Sequence, residues 1–139
     1  MPDPVLSSLL RINHHRLRAL RQALAPYSYV GVMHLIMFYT KKSPGASQED
    51  IACFYTVDKA SVARDAKRLE DMGHITRQVD PNNRRQYQLY LTEAGAAFIP
   101  TLTEAYDSFA KHLSAGIPEE NWNRLALLLQ QLEDHLREG

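Results

Sequence analysis

The spacing of apolar residues switches at Gly73 from the three-to-four-residue period of a helix to the alternation of a strand. That single change limits the fold more than any other feature. Before it, Pro and Gly divide the chain into helical segments. After it, Ile75, Arg77 and Val79 alternate with polar neighbours, and Asp80-Pro-Asn-Asn83 has the composition of a turn. Gln86 to Leu91 then alternates again, with Tyr87, Leu89 and Leu91 on one side. This reads as one β-hairpin set among helices. The fold class is therefore mainly α with a small β-hairpin (α+β).

The helical segments follow from periodicity and punctuation. Val5, Leu6, Leu9, Leu10, Leu17, Leu20 and Leu24 recur at helical spacing over about Val5 to Ala25, and Pro26 ends the run. From about Tyr29 to Lys41 nearly every residue is apolar, which predicts a buried helix, and Ser43-Pro44-Gly45 breaks it. Ser47-Gln-Glu-Asp50 looks like a capping box. The short helix it starts turns Ile51, Ala52 and Phe54 or Tyr55 inward and stops near Thr56. Asp58 is a second N-cap candidate, opening a helix that runs to Met72 and ends at Gly73. Two short helices with a tight turn between them match a helix-turn-helix in length. Thr92 is placed to cap a long helix to about Ser114, with Pro100 inside it and a kink expected there. Pro118, Glu119 and Glu120 open the last helix, whose apolar stripe is Trp122, Leu125, Leu128, Leu129, Leu132 and Leu136.

The net charge is zero, but its distribution is uneven. Residues 1–46 hold six Lys/Arg and one acid, residues 47–92 seven of each, and residues 93–139 three Lys/Arg and eight acids. Oppositely charged ends suit helices that pack together. A neutral middle still binds phosphate if its bases share a face. On the helix from Asp58 to Met72, Val62, Ala66 and Leu69 form the inner face, with Met72 at its edge. The outer side carries Lys59, Ala60, Ser61, Ala63, Arg64, Lys67 and Arg68. Small residues near its start permit close approach in a major groove. Ser61 can reach a base edge or phosphate, and Arg64 can fork onto guanine O6/N7. Lys59, Lys67 and Arg68 suit phosphates. Arg84 and Arg85 at the hairpin tip suit the minor groove. Ser47 and Gln48, at the start of the preceding helix, join the expected DNA-contacting set. Two short helices, a basic outer face and a basic hairpin tip together indicate a winged helix-turn-helix that binds double-stranded DNA.

Several segments resemble the MarR family of winged-helix regulators. Leu24-Ala-Pro26 is similar to the junction after the family's first helix. Val57-Asp-Lys-Ala-Ser-Val-Ala-Arg64 resembles the start of its recognition helix, and Arg68-Leu-Glu-Asp-Met-Gly73 its end. Asp80-Pro-Asn-Asn-Arg-Arg85 followed by Leu91-Thr-Glu-Ala-Gly95 resembles the wing and the cap of the next helix, and is the most specific match. Asn83 stands where the family usually has an acid, Ala63 where a hydroxyl is common, and Thr56 where glycine is frequent. The resemblance implies a homodimer that reads a pseudo-palindromic operator, with residues 1–28 and 93–139 as dimerisation helices around a DNA-binding lobe at 29–92. It also implies a ligand-responsive repressor whose small aromatic or anionic effector sits near the first, second and fifth helices. There the chain offers His14, His15, Arg18, Tyr29, His34 and Phe38, cations beside aromatic rings that could equally be core and exposed helix surface.

Other readings are weaker. Six histidines lack metal-ligand spacing, so no metal and no cofactor is expected. Cys53 is the sole cysteine, which excludes an internal disulfide. Its place beside Phe54 suggests a small core residue rather than an oxidant sensor. No phosphate loop, nucleophile elbow or zinc motif points to an enzyme. A winged helix that binds protein instead of DNA is the more serious alternative, but it would not need cations on both the outer helix face and the hairpin tip. The start, Met1-Pro-Asp-Pro, lacks signal-peptide order, and no apolar run reaches the length of a membrane span, so a cytoplasmic location is expected, with no membrane partner.

Overall fold

A computed structural model describes residues 3–138. Helix α1 (Pro4–Leu24) starts at Asp3, whose carboxylate accepts from the Val5 and Leu6 amides. A single 3-10 turn (Ala25–Tyr27) follows it, at the expected proline. Helix α2 (Met33–Lys42) begins four residues later than the apolar run suggested. The residues before it form a turn in which Tyr29 is buried and Val30 exposed.

Helix α3 (Gln48–Tyr55) has the full capping box: Ser47 Oγ accepts from the Asp50 amide, and the Asp50 carboxylate accepts from the Ser47 amide. It ends at Thr56, which takes the left-handed conformation at φ 55°. Helix α4 (Lys59–Asp71) starts on the Asp58 cap, which holds the Ser61 amide at 2.7 Å. The hairpin is β1 (Ile75–Asp80) and β2 (Asn83–Leu91), antiparallel, pairing Ile75 with Leu91 and Asp80 with Asn83. Gly45 and Ala46 pair with Leu89, which fastens the hairpin to the chain entering α3.

Helix α5 (Glu93–Ser114) is capped by Thr92 as expected and continues through Pro100. Gly95 is required by close approach, since a Cβ there would lie 2.0 Å from the His74 carbonyl oxygen. The same carbonyl accepts from the Thr92 amide. The wing's exit and the start of α5 are thus pressed together.

The molecule divides into two compact units inside α5, after Tyr106. The first holds the core: Leu24, Met33, Ile36, Met37, Ile51, Val62, Leu69, Ile75, Leu89, Ile99 and Leu102, with Tyr29 among them. The division falls within α5 because its first half supplies Ile99 and Leu102 to that core. The second unit, from Asp107, holds the end of α5 and helix α6 (Glu119–Glu138). No described residue of α6 is buried, and Leu127, Leu128 and Leu136 are at least half exposed. Among the described residues no helix is long and apolar enough to cross a membrane.

Cys53 corrects one expectation. It is exposed, because α3 is eight residues long and seats itself through Ile51 and Ala52. Phe54 is also exposed, and Tyr55 is the half-buried ring of the pair.

Candidate nucleic-acid interface

Helix α4 buries Val62, Asp65, Ala66 and Leu69 and exposes Lys59, Ala60, Arg64, Lys67 and Arg68. The outer face is the one the sequence indicated. Across from its first turns stands the hairpin. Lys59 and Ala63 of α4, Gln48 and Glu49 of α3, and Arg85, Gln86 and Tyr87 of β2 line one open cleft of about 270 Å³. Cations from two stretches distant in sequence therefore meet on one side of the molecule. Arg84 and Arg85 are exposed on the strand leaving the turn, and the Arg85 amide donates to Asn83 Oδ1 at 3.1 Å. Asn83 thus organises the wing tip locally without a charge.

Every cation of the α4 face has an acidic neighbour. Lys59 Nζ lies 3.0 Å from Glu49, and Lys67 Nζ lies 2.9 Å from Asp71. Asp65 serves two arginines, with Arg68 Nη1 at 2.8 Å and Arg64 Nε at 3.7 Å. The Lys59 and Lys67 pairs are exposed on both sides and contribute little to stability, so a phosphate can replace the carboxylate there at modest cost, whereas the Asp65 carboxylate is buried. Among the described residues, Arg84 and Arg85 make no ion pair.

Two expected contact residues are occupied by capping. Ser47 is buried, with its hydroxyl on the Asp50 amide. Ser61 Oγ donates to Asp58 at 2.8 Å and accepts from Arg64 at 3.4 Å, so it orients an arginine as well as the helix start. Its hydrogen bonds hold the Asp58 carboxyl below the ordinary carboxylate range. Gln48 is half-buried and accepts from Arg77 at 3.3 Å.

Glu49 and Arg77 escaped the sequence reading. Glu49 accepts from Lys59 of α4 and from Gln86 of the wing at 2.9 Å, joining three elements. The Lys59 hydrogen bond, then its charge, keeps the Glu49 carboxyl below its usual range. Arg77 reaches Glu70 at 3.2 Å and lies 4.5 Å over the Tyr87 ring, pinning β1 to α4. Nothing local marks either residue, because their partners are distant in the chain, Glu70 being the nearest to Arg77 at seven positions.

The six effector candidates do not form one site. Tyr29 and His34 line a cavity of about 90 Å³ with Leu17, Leu20, Arg21 and Gly31. His14, His15 and Arg18 are exposed on α1 and do not line it. Phe38 packs edge-on to Tyr106 of α5, whose hydroxyl bonds His34 Nδ1. Burial, with Arg16 adding to it, pushes the His34 ring down to about 4. Burial pushes the Tyr106 hydroxyl up to about 12. Tyr29 is core, stacked on Phe98 with its hydroxyl on His74 Nδ1 at 2.7 Å. Among the described residues no cluster of three His, Cys, Asp or Glu is placed to hold a metal ion.

Comparison with known proteins agrees with this architecture. Residues 34–87 match the model of the MarR family. The HTH-type transcriptional regulator BilQ of Clostridioides difficile is 25% identical over 113 residues, covering 81% of this chain and 76% of BilQ. A crystal structure of MarR superposes with a TM-score of 0.90 at 25% identity, over 99% of this chain and 93% of that one. A cysteine-to-serine mutant of MarR from E. coli, complexed with operator DNA, has a TM-score of 0.79 at 19% identity, over 93% of each chain. The chain thus carries a segment that matches the MarR family model at residues 34–87, and its fold is the winged helix of the solved MarR structure.

Proposed function

We propose that the protein is a sequence-specific, homodimeric regulator that binds operator DNA and acts as a ligand-responsive repressor. The observation that carries this reading is the shared cleft of Lys59, Ala63 and Arg85. A helix that is small at its start and cationic farther on suits a major groove, and a projecting arginine turn suits the adjacent minor groove. The E. coli MarR mutant seen with operator DNA has the same fold, which supports the assignment. Arg64 would read a base edge, while Lys59, Lys67, Arg68 and Arg84 would meet phosphates.

The exposed apolar side of α6 supports dimerisation. A helix with Leu125, Leu128 and Leu132 exposed on one side needs a cover. A second copy would supply it through residues 1–28 and 93–139, leaving 29–92 as the DNA-binding lobe. Two recognition helices about 34 Å apart would then read a pseudo-palindrome. The effector reading is confined to the Tyr29–His34 cavity. At about 90 Å³ it is well below the roughly 300–1,000 Å³ of ordinary ligand sites.

The test is fluorescence anisotropy against duplexes tiled across the region upstream of the gene. Tight binding to one tile, weakening steeply with salt, is expected. Equal, weak affinity for every tile would leave the protein-binding winged helix as the better reading.

A further inference from the structure

Asp65 is a carboxylate on the inner face of α4, flanked by Val62, Ala66 and Leu69, and its side chain is wholly buried. A buried charge is costly unless each oxygen is satisfied. Here both are. Oδ2 accepts from the Val32 amide at 2.8 Å. Val32 is the N-cap of α2 and has no side-chain cap of its own, so a residue of α4 supplies that cap. Oδ1 faces outward and takes Arg68 Nη1 at 2.8 Å, with Arg64 Nε at 3.7 Å. The turn is shaped to receive this group. Gly31 has φ +54°, and a Cβ there would lie 2.4 Å from Asp65 Oδ2.

Removing this carboxylate alone would leave the Val32 amide and the arginines without their partner, which is costly. Its inward oxygen serves the fold, whereas its outward oxygen serves the arginines on the outer face of α4 itself. We propose that Asp65 is a positioning residue for DNA reading, its outward oxygen orienting Arg68 and Arg64 while its inward oxygen fastens the reading helix to the Gly31–Val32 turn. This rests on the DNA-binding reading above. Of the two, Arg64 is the base reader, and its guanidinium, held in one orientation beside Asp65 and Arg68, loses less freedom on meeting a base edge, which favours the correct duplex. Phosphate contacts tolerate many orientations and gain little from it. Val30 and Gly31 also line the cavity beside α1. One carboxylate thus joins the cavity wall to the arginine pair.

The experiment compares wild type with Asp65→Asn on the operator and on a scrambled duplex at one salt concentration. Asparagine keeps an acceptor for the Val32 amide and removes the charge that holds the arginines. The ratio of operator to scrambled affinity should fall about tenfold, within the discrimination that a good bidentate arginine contact provides. Scrambled-duplex affinity should hold or rise. A purely structural role would weaken both affinities together, and an unchanged ratio in a folded variant would overturn the proposal. Should Asp65→Asn fail to fold, NMR of the wild-type protein decides the matter. The Val32 amide resonance should shift on operator and not on scrambled DNA. An equal response to both, or none, rejects the link. A wild-type chain that prefers no duplex removes the DNA reading itself, and this inference with it.

Discussion

Helices α4 and α6 both carry one apolar face, yet they differ in what covers it. In α4 Val62, Ala66 and Leu69 are fully buried. They are covered by elements of the same unit, among them α2, α3 and β1. In α6 no described residue is buried, and Leu136 is 82% exposed. Periodicity states that a face must be covered; it does not state by what. The covered helix is free to turn its polar side toward a nucleic acid. The uncovered one is left with an apolar side that water disfavours.

The contrast can be broken most forcefully at α6. Leu128→Glu with Leu132→Glu should turn a dimer into a monomer in sedimentation velocity. Operator affinity should fall about 10²–10⁴-fold, because two linked half-site contacts become one. A double variant that remains dimeric would show that α6 is not the seam.

Core truncation sharpens the same comparison. Leu69→Ala should cost about 2–5 kcal/mol in urea unfolding, the usual range for a buried leucine. Leu136→Ala, placed in the monomeric background, should change stability by no more than about 0.5 kcal/mol. Equal costs would mean that the two faces are covered alike. On the polar side of α4, Arg64→Ala should relax preference at one operator position by about 1–3 kcal/mol. Arg85→Ala should instead weaken binding across all duplexes with the fold intact. Selection from random duplexes separates these outcomes, and an unchanged motif for Arg64→Ala would remove its base-reading role.

The smallest effect is a pH dependence confined to the unit that holds the core. His34 is pushed down to about 4, mainly by burial, so the folded protein keeps the ring neutral. The unfolded chain takes up a proton as pH drops below about 6.5. Stability is therefore full above that value and is lost progressively as pH falls toward 4. His74, lowered by burial as well, contributes with the same sign. His34→Gln should flatten the fall in urea midpoint between about pH 7.5 and about pH 5 without abolishing it. A slope identical to wild type would show that His34 does not titrate in this way.

Much of this was legible in residue order. The capping box at Ser47–Asp50, the Asp58 cap, the Asp80–Asn83 turn and the Thr92 cap each depend on groups within a few residues of one another. The inner face of α4 was equally plain, and the same period places Asp65 on it, three residues after Val62 and four before Leu69. That signal was available but was masked by the polar character of the side chain. The start of α2 was misplaced because Tyr29 and Val32 are as apolar as the helix that follows, while Gly31 needs a positive φ that a helix does not supply. The effector candidates scattered because neighbouring positions on α1 point in different directions, and only tertiary contact selects among them.

Residue order alone settled the sequence of elements, their caps and the cationic side of α4, since these are governed by hydrogen bonds and periodicities that span a turn or two. Folding in three dimensions decided the rest. It brought Glu49 against both Lys59 and Gln86, laid Arg77 across Tyr87 and set Asp65 on the Val32 amide. Such contacts join residues up to 37 positions apart in the chain. Their strength depends on burial and direction, which exist only once the layers have packed.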